Sequence, residues 1–102
     1  MRLKSKEEIE IEFAKAYMQA QSIEEVADTL VGLANTINTR DLAAFERSWK
    51  GENATILSMK GRDISKEIYE TAQDLIRVAV SIKSSAEIIY KAEKAAVLMA
   101  CS

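Results

Sequence analysis

Apolar side chains in the first half of the chain recur at alternating steps of four and three residues. The stripe consists of Ile9, Phe13, Ala16, Ala20, Ile23, Ala27, Leu30, Ala34 and Ile37. This is the spacing of the a and d positions of a heptad repeat, which form one side of an α-helix and pack against a neighbouring helix. The chain contains no proline to interrupt such a helix. The pattern therefore predicts an all-α protein whose first helix is long and amphipathic.

The second half of the chain repeats this alternation. Its stripe consists of Leu57, Gly61, Ile64, Ile68, Thr71, Leu75, Val78, Ile82, Ser85, Ile89, Ala92, Ala96 and Met99. Small residues form an adjoining stripe at Ala72, Ala79, Ala86 and Ala100. We expect the first of these stripes to be the seam of a second long helix, with the small residues beside it. Each helix would contain about 40 residues and be roughly 60 Å long.

The heptad register fails between the two stripes. Asp41 falls where the first stripe requires an apolar residue, and Leu42, Phe45 and Trp49 continue in a shifted phase. The chain therefore changes its helical phase near Asp41.

A reversal of the chain is expected directly after this point, in the sequence KGEN at positions 50–53. Gly51 tolerates a positive φ angle, and Asn53 is a residue type that caps helices. A short link between two long helices produces an antiparallel hairpin. The predicted boundaries are a helix at about 6–47, a turn at about 48–53 and a helix at about 54–99, within one domain of residues 1–102.

Three other sequences could interrupt these helices and give four shorter ones. SIEE at 22–25 and SSAE at 84–87 have the form of capping boxes, and KGRD at 60–63 contains a glycine. The heptad register continues through all three, which favours two continuous helices.

The apolar face of the first helix is wider than a two-helix seam requires. Val26, Val31 and Leu33 flank the stripe between Ile23 and Ile37. A hairpin offers each helix only one partner, so part of this face would remain exposed, and such patches usually mark an interaction surface. We therefore expect two hairpins to pair into a four-helix bundle. The candidate dimer interface is Ile23, Val26, Leu30, Leu33, Ile37, Ile68, Leu75, Ile82 and Ile89.

The composition argues against several functions. Acidic and basic residues are intermixed with a net charge of −2, which is not the basic surface that binds nucleic acid or anionic membranes. The absence of histidine removes Ser–His and Cys–His nucleophiles and Glu-x-x-His metal sites. Cys101 is the only cysteine, so a thiolate zinc site and an internal disulfide are also excluded. We predict no catalytic, cofactor-binding or metal-binding residues.

A second alternative, a small all-α enzyme, finds little support in the sequence, and neither does a signal peptide. Small all-α enzymes can hold an anionic substrate with arginines, but Arg40, Arg47, Arg62 and Arg77 are scattered along this chain. At the N-terminus, basic residues are followed at once by acidic ones, and no apolar segment appears. We therefore expect no cleavable signal peptide.

The motif at the predicted turn resembles that of a known family. Trp49, Lys50 and Gly51 form a Trp-x-Gly sequence between the two helical stripes of a 102-residue chain. In length, layout and motif the chain resembles the WXG (ESAT-like) proteins of type VII secretion systems. The resemblance implies a helical hairpin that dimerises with itself or with a related hairpin. It also implies export of the folded dimer by a membrane ATPase, in some cases as an escort of a larger toxin. Trp49 would then cover the end of the bundle beside the turn.

The export signal of the family is matched only loosely. Many exported pairs carry a C-terminal Tyr-x-x-x-Asp/Glu sequence, whereas Tyr90 is followed at four residues by Lys94, with Glu93 one position early. Either Tyr90 and Glu93 serve as a loose signal, or a partner supplies the signal. The resulting prediction is a non-enzymatic secreted substrate or targeting partner of type VII secretion. A cytosolic helical adaptor or chaperone that is not exported is the alternative.

Overall fold

The computed structural model describes residues 3–48 and 51–101, without the side chains of Ser48 and Cys101. Trp49 and Lys50 lie outside the described residues. The predicted packing of Trp49 over the end of the bundle therefore remains a prediction.

The chain forms a helical hairpin. The first arm consists of α1 (Lys6–Thr36), one π-helical turn (Ile37–Asp41) and α2 (Leu42–Ser48), and the second arm is α3 (Glu52–Cys101). Within residues 3–48 and 51–101 there is no β-strand, so the predicted all-α hairpin is confirmed. The sequences at 22–25, 60–63 and 84–87 lie inside continuous helices, as the unbroken heptad register predicted.

Short polar and glycine residues define where the two long helices begin. The hydroxyl of Ser5 accepts a hydrogen bond from the N–H of Glu8 at 3.1 Å and so caps the N-terminus of α1; it also donates one to the Glu8 carboxylate at 3.4 Å. At the start of α3, Gly51 has a φ angle of 113°, and its carbonyl accepts the first helical hydrogen bond from the N–H of Thr55. The expectation that Asn53 caps this helix is wrong, because Asn53 already lies in its first turn.

The π-helical turn explains the change of phase near Asp41. In α1 the buried residues Ala27 and Ala34 are seven residues apart, but the next buried residue, Leu42, follows after eight. The N–H of Leu42 donates to the carbonyl of Ile37, five residues back, so the turn accommodates one extra residue. The insertion brings Leu42 into the seam and leaves Asp41 exposed. The sequence therefore indicated the phase shift, although not the device that produces it.

The described residues form two compact units. The central unit consists of residues 25–76. In it the arms run antiparallel, because Ala34 faces Ser65 and Leu42 faces Gly61. The hydroxyl of Ser65 donates to the carbonyl of Ala34 at 2.9 Å. A Cβ atom at Gly61 would lie 2.6 Å from Cδ2 of Leu42, so this glycine makes room for the leucine.

The terminal unit consists of residues 3–24 and 77–101. Its arms are also antiparallel, since Lys4 contacts Glu93 whereas Glu24 contacts Lys83. Ile9 and Ala20 of α1 are buried here, together with Ala79 and Ala86 of α3.

The predicted seam is confirmed in the first arm and displaced in the second. All nine positions of the first stripe are buried or half-buried. In α3 the predicted stripe is half-buried at Gly61, Ile68, Leu75, Ile82 and Ala96. It is exposed at Leu57, Ile64, Thr71, Val78, Ser85, Ile89, Ala92 and Met99. The residues buried in the seam of α3 are instead small and mostly seven apart: Ala54, Ser58, Ser65, Ala72, Ala79 and Ala86. Small side chains allow two helices to approach closely, and that approach decides the register.

The two buried serines of the central unit provide a test of this packing. The hydroxyl of Ser65 has an acceptor across the seam, whereas the buried hydroxyl of Ser58 has no hydrogen-bond partner among the described residues. Substitution by alanine gives the same gain in helix propensity at both sites. We expect Ser58→Ala to be more stable than Ser65→Ala by about 1–2 kcal/mol, because only Ser65→Ala loses a hydrogen bond. Chemical denaturation measures the difference, and equal midpoints for the two variants would contradict the described seam.

Candidate protein-interaction surfaces

The central unit exposes apolar side chains on both arms. Val26 and Leu33 lie seven residues apart on α1 and are 52% and 47% exposed. Leu57 and Ile64 lie seven residues apart on α3 and are 53% and 54% exposed. The packing within the unit therefore leaves an apolar pair on each arm that a second protein can cover.

The terminal unit contains an open apolar groove of about 490 Å³. It is lined by Ala16, Arg77, Val78, Ser81, Ile82, Ser85, Ala86 and Ile89. Two residues of the predicted dimer interface, Ile82 and Ile89, thus line one depression in the surface. Ile89 is 54% exposed, so its side chain is accessible from outside the hairpin.

The remaining residues of the predicted dimer interface contribute less exposed surface. This group is half-buried, as Ile82 is, and consists of Ile23, Leu30, Ile37, Ile68 and Leu75. Since they also pack within the hairpin, any contact that they make with a partner would use only part of each side chain. Ile11 and Met18, which lie away from the seam of α1, are 54% and 65% exposed.

The two residues of the loose export signal are held by the opposite arm. The hydroxyl of Tyr90 donates to Oε1 of Glu10 at 2.6 Å, and Nζ of Lys94 lies 3.1 Å from the same oxygen. The ring of Tyr90 packs against Phe13 with 4.4 Å between centroids. Glu93 forms an ion pair with Lys4 at 3.0 Å. A receptor that reads Tyr90 and Glu93 together must therefore compete with contacts inside the hairpin.

A second polar group joins the arms of the terminal unit one to two turns away. The ring of Tyr17 lies 4.7 Å from that of Phe13, and its hydroxyl donates to the carboxylate of Glu87. Lys83 lies over the Tyr17 ring at 5.7 Å and pairs with Glu24 at 2.6 Å. The roles of Glu10 and Glu87 as partners could not be predicted from the sequence, because they depend on which residues of the two arms are opposite one another.

The hydrogen bonds and charges in these two groups shift the pKa values of Glu10, Lys94 and Tyr17. The hydrogen bond from Tyr90 and the one from Lys94 lower the pKa of Glu10, since both favour the ionised carboxylate. Hydrogen bonds to Tyr90 and Glu10 raise the pKa of Lys94. The hydrogen bond to Glu87 raises the pKa of Tyr17, because loss of the phenolic proton would place two negative charges together.

A polar groove of about 460 Å³ lies in the central unit. It is lined by Ala34, Asn35, Asn38, Arg62, Ser65, Lys66 and Tyr69. The sequence pattern did not predict this groove. The only signal along the chain was the placement of Arg62, Lys66 and Tyr69 at positions i, i+4 and i+7, which form one face of a helix.

The arginines of the enzyme alternative lie in different places. Arg62 lines the polar groove of the central unit and pairs with Glu46, whereas Arg77 lines the apolar groove of the terminal unit. Among the described residues, no group of three or more acidic, cysteine or histidine side chains is placed to hold a metal ion. No helix of residues 3–48 and 51–101 has both the length and the apolar character needed to cross a bilayer.

Comparison with protein-family models, with curated proteins and with solved structures gave no match to this chain. The resemblance to the WXG proteins therefore depends on the residues of this sequence, and it remains a prediction.

The contact between Tyr90 and Glu10 predicts a dependence of stability on pH. A carboxylate whose pKa is lowered in the folded state stabilises the fold at neutral pH, and this contribution is lost as the pH falls through the folded pKa. We expect Tyr90→Phe to be less stable than the unmodified chain at neutral pH, and the difference to shrink in acid as Glu10 becomes protonated. Denaturant midpoints at neutral and acid pH measure it.

Tyr69→Phe is the matched control, because Tyr69 is exposed and lies in the other unit. Tyr69→Phe should change the denaturant midpoint only slightly, and by the same amount at neutral and at acid pH. A Tyr90→Phe difference that stays constant down to low pH would show that Glu10 is not the acceptor in solution.

Proposed function

We propose that this chain works by helical protein–protein association, as a small secreted substrate or targeting partner of a type VII secretion system. It pairs with itself or with a related helical hairpin to form a four-helix bundle. The observation that carries the proposal is the exposure of apolar side chains on both arms of a hairpin whose own seam is filled by small residues.

The seam itself supplies limited hydrophobic stabilisation. Burial contributes about 25 cal/mol per Å² of apolar surface, and alanine and serine side chains offer little of it. Val26, Leu33, Leu57 and Ile64 remain about half exposed on the central unit. Association that covers them adds the burial that the hairpin lacks.

The apolar groove of the terminal unit supports the same mode of association. Ile82, Ile89 and Val78 provide an apolar wall, and the alanines Ala16 and Ala86 leave the groove open. An apolar side chain from a partner helix fits such a depression in the manner of a knob in a hole.

Secretion is proposed from the resemblance and not from the surface. In the sequence, Trp49, Lys50 and Gly51 follow the last residue of the first arm, and Gly51 has the positive φ angle that favours glycine at a reversal. The partners implied are a secretion ATPase and, for an escort, a larger toxin. Since Tyr90 and Glu93 contact Glu10 and Lys4, we favour a partner that supplies the export signal.

Self-association is tested by measuring the mass of the purified chain in solution. Leu33→Lys should shift a dimer towards monomer, because a charged side chain replaces an exposed apolar one that the proposed interface buries. Asp28→Lys, at an exposed polar position of the same helix, is the control and should remain dimeric. Sedimentation or light scattering over a range of concentrations measures the shift. A monomer at every concentration would exclude self-pairing and leave only a related hairpin as the partner.

Export is tested in the source organism with the secretion ATPase intact and then disabled. We expect the protein in the culture medium only when the ATPase is intact, because the proposed export depends on that ATPase. Retention inside the cell in both strains would contradict the secretion proposal and favour the non-exported adaptor.

A further inference from the structure

The polar groove of the central unit has walls from both arms of the hairpin. Asn35 and Asn38 come from the first arm, and Arg62, Lys66 and Tyr69 come from α3. Its floor is the contact between Ala34 and Ser65, in which the serine hydroxyl donates its hydrogen bond to the alanine carbonyl. The side chains left to face a ligand are those of the walls.

The walls are rich in hydrogen-bond donors. Two amides, a guanidinium, an ammonium group and a phenol line the groove, and no carboxylate is among the lining residues. An amide offers two N–H groups and a guanidinium five, so the lining side chains carry more hydrogen-bond donors than acceptors. Such an arrangement favours a negatively charged ligand.

Two acidic residues outside the groove compete for its cations. Glu46 pairs with Nη2 of Arg62, which leaves the other nitrogens of the guanidinium available. Glu70 lies 4.0 Å from Nζ of Lys66, at the outer limit of an ion pair, and the Lys66 side chain is 76% exposed. Lys66 is therefore the cation that can turn most readily towards a ligand.

The groove also coincides with the irregularity of the first arm. Asn38 belongs to the π-helical turn Ile37–Asp41, where the helix changes phase. Single π-helical turns inside α-helices frequently occur at functional sites.

We propose that this groove is a binding site for a small oxyanion, a carboxylate or a phosphate. Arg62 and Lys66 supply the charge, and the amides of Asn35 and Asn38 supply neutral hydrogen bonds. This site goes beyond the proposed function, because it depends neither on export nor on pairing of hairpins.

The test uses the full chain and two probes, succinate and inorganic phosphate, added at constant ionic strength with sodium chloride as the reference. Side-chain amide signals of Asn35 and Asn38 are followed by NMR. We expect saturable shifts with a dissociation constant on the order of 1 mM for the better probe. Tighter binding of succinate assigns the groove to carboxylates, and tighter binding of phosphate assigns it to phosphates.

Three substitutions separate this site from general charge attraction. Lys66→Gln should weaken binding roughly tenfold, because one charge-assisted hydrogen bond is lost. Lys60→Gln removes the same charge from an exposed position of α3 outside the groove, and it should leave binding unchanged. Glu46→Gln should strengthen binding roughly threefold, since it weakens the pairing of Arg62 and removes a repelling carboxylate.

Circular dichroism checks that each variant is folded, and the Glu46→Gln result does not depend on the behaviour of Lys66→Gln. Absence of a saturable shift with either probe would overturn the proposal. Equal weakening by Lys60→Gln and Lys66→Gln would overturn it as well, because it would show non-specific attraction to the helix.

Discussion

The hairpin depends on the heptad of small side chains along α3. Ser58, Ser65, Ala72, Ala79 and Ala86 are buried against the first arm at intervals of seven residues. Because no long side chain separates the helices at these positions, the arms approach closely. The larger apolar residues that precede this heptad by one position are then displaced from the seam to its edge. The exposed apolar surface is thus a direct consequence of how the arms pack.

Because the side chains in the seam are small, much of the contact between the arms is made by longer side chains at the edges of the seam. In the terminal unit, Tyr90 reaches Glu10 and Lys83 reaches Glu24, and in the central unit Arg62 reaches Glu46. Exposed ion pairs contribute little stability and are screened by salt. They fix which residues are opposite one another more than they hold the arms together. The stabilisation that remains to be gained is hydrophobic, which supports the proposal that this hairpin associates with a second protein.

The sequence predicted the helices and the phase shift, but it did not predict which face of α3 is buried. In the first arm the stripe through Ala27 and Ala34 was correct because apolar and buried positions coincide there. In α3 two heptad registers differ by one residue, and the pattern favours the more hydrophobic one, through Leu57 and Ile64, whereas the structure buries the other. Hydrophobicity alone cannot detect that close helix packing selects the smaller side chains. The grooves and the contact of Tyr90 with Glu10 could not be predicted from the sequence either, because they depend on the juxtaposition of distant parts of the chain.

The π-helical turn links the packing of the central unit to its polar groove. One extra residue after Ala34 brings Leu42 into the seam, where it contacts Gly61, the residue that leaves room for it. The same insertion places Asn38 in the irregular turn, beside Arg62 and Ser65, at a position that does not contribute to the apolar seam. A regular helix through this segment would place Asp41 where the seam needs an apolar residue. The irregularity therefore completes the hydrophobic contact on one side of the turn and contributes to the donor-lined groove on the other.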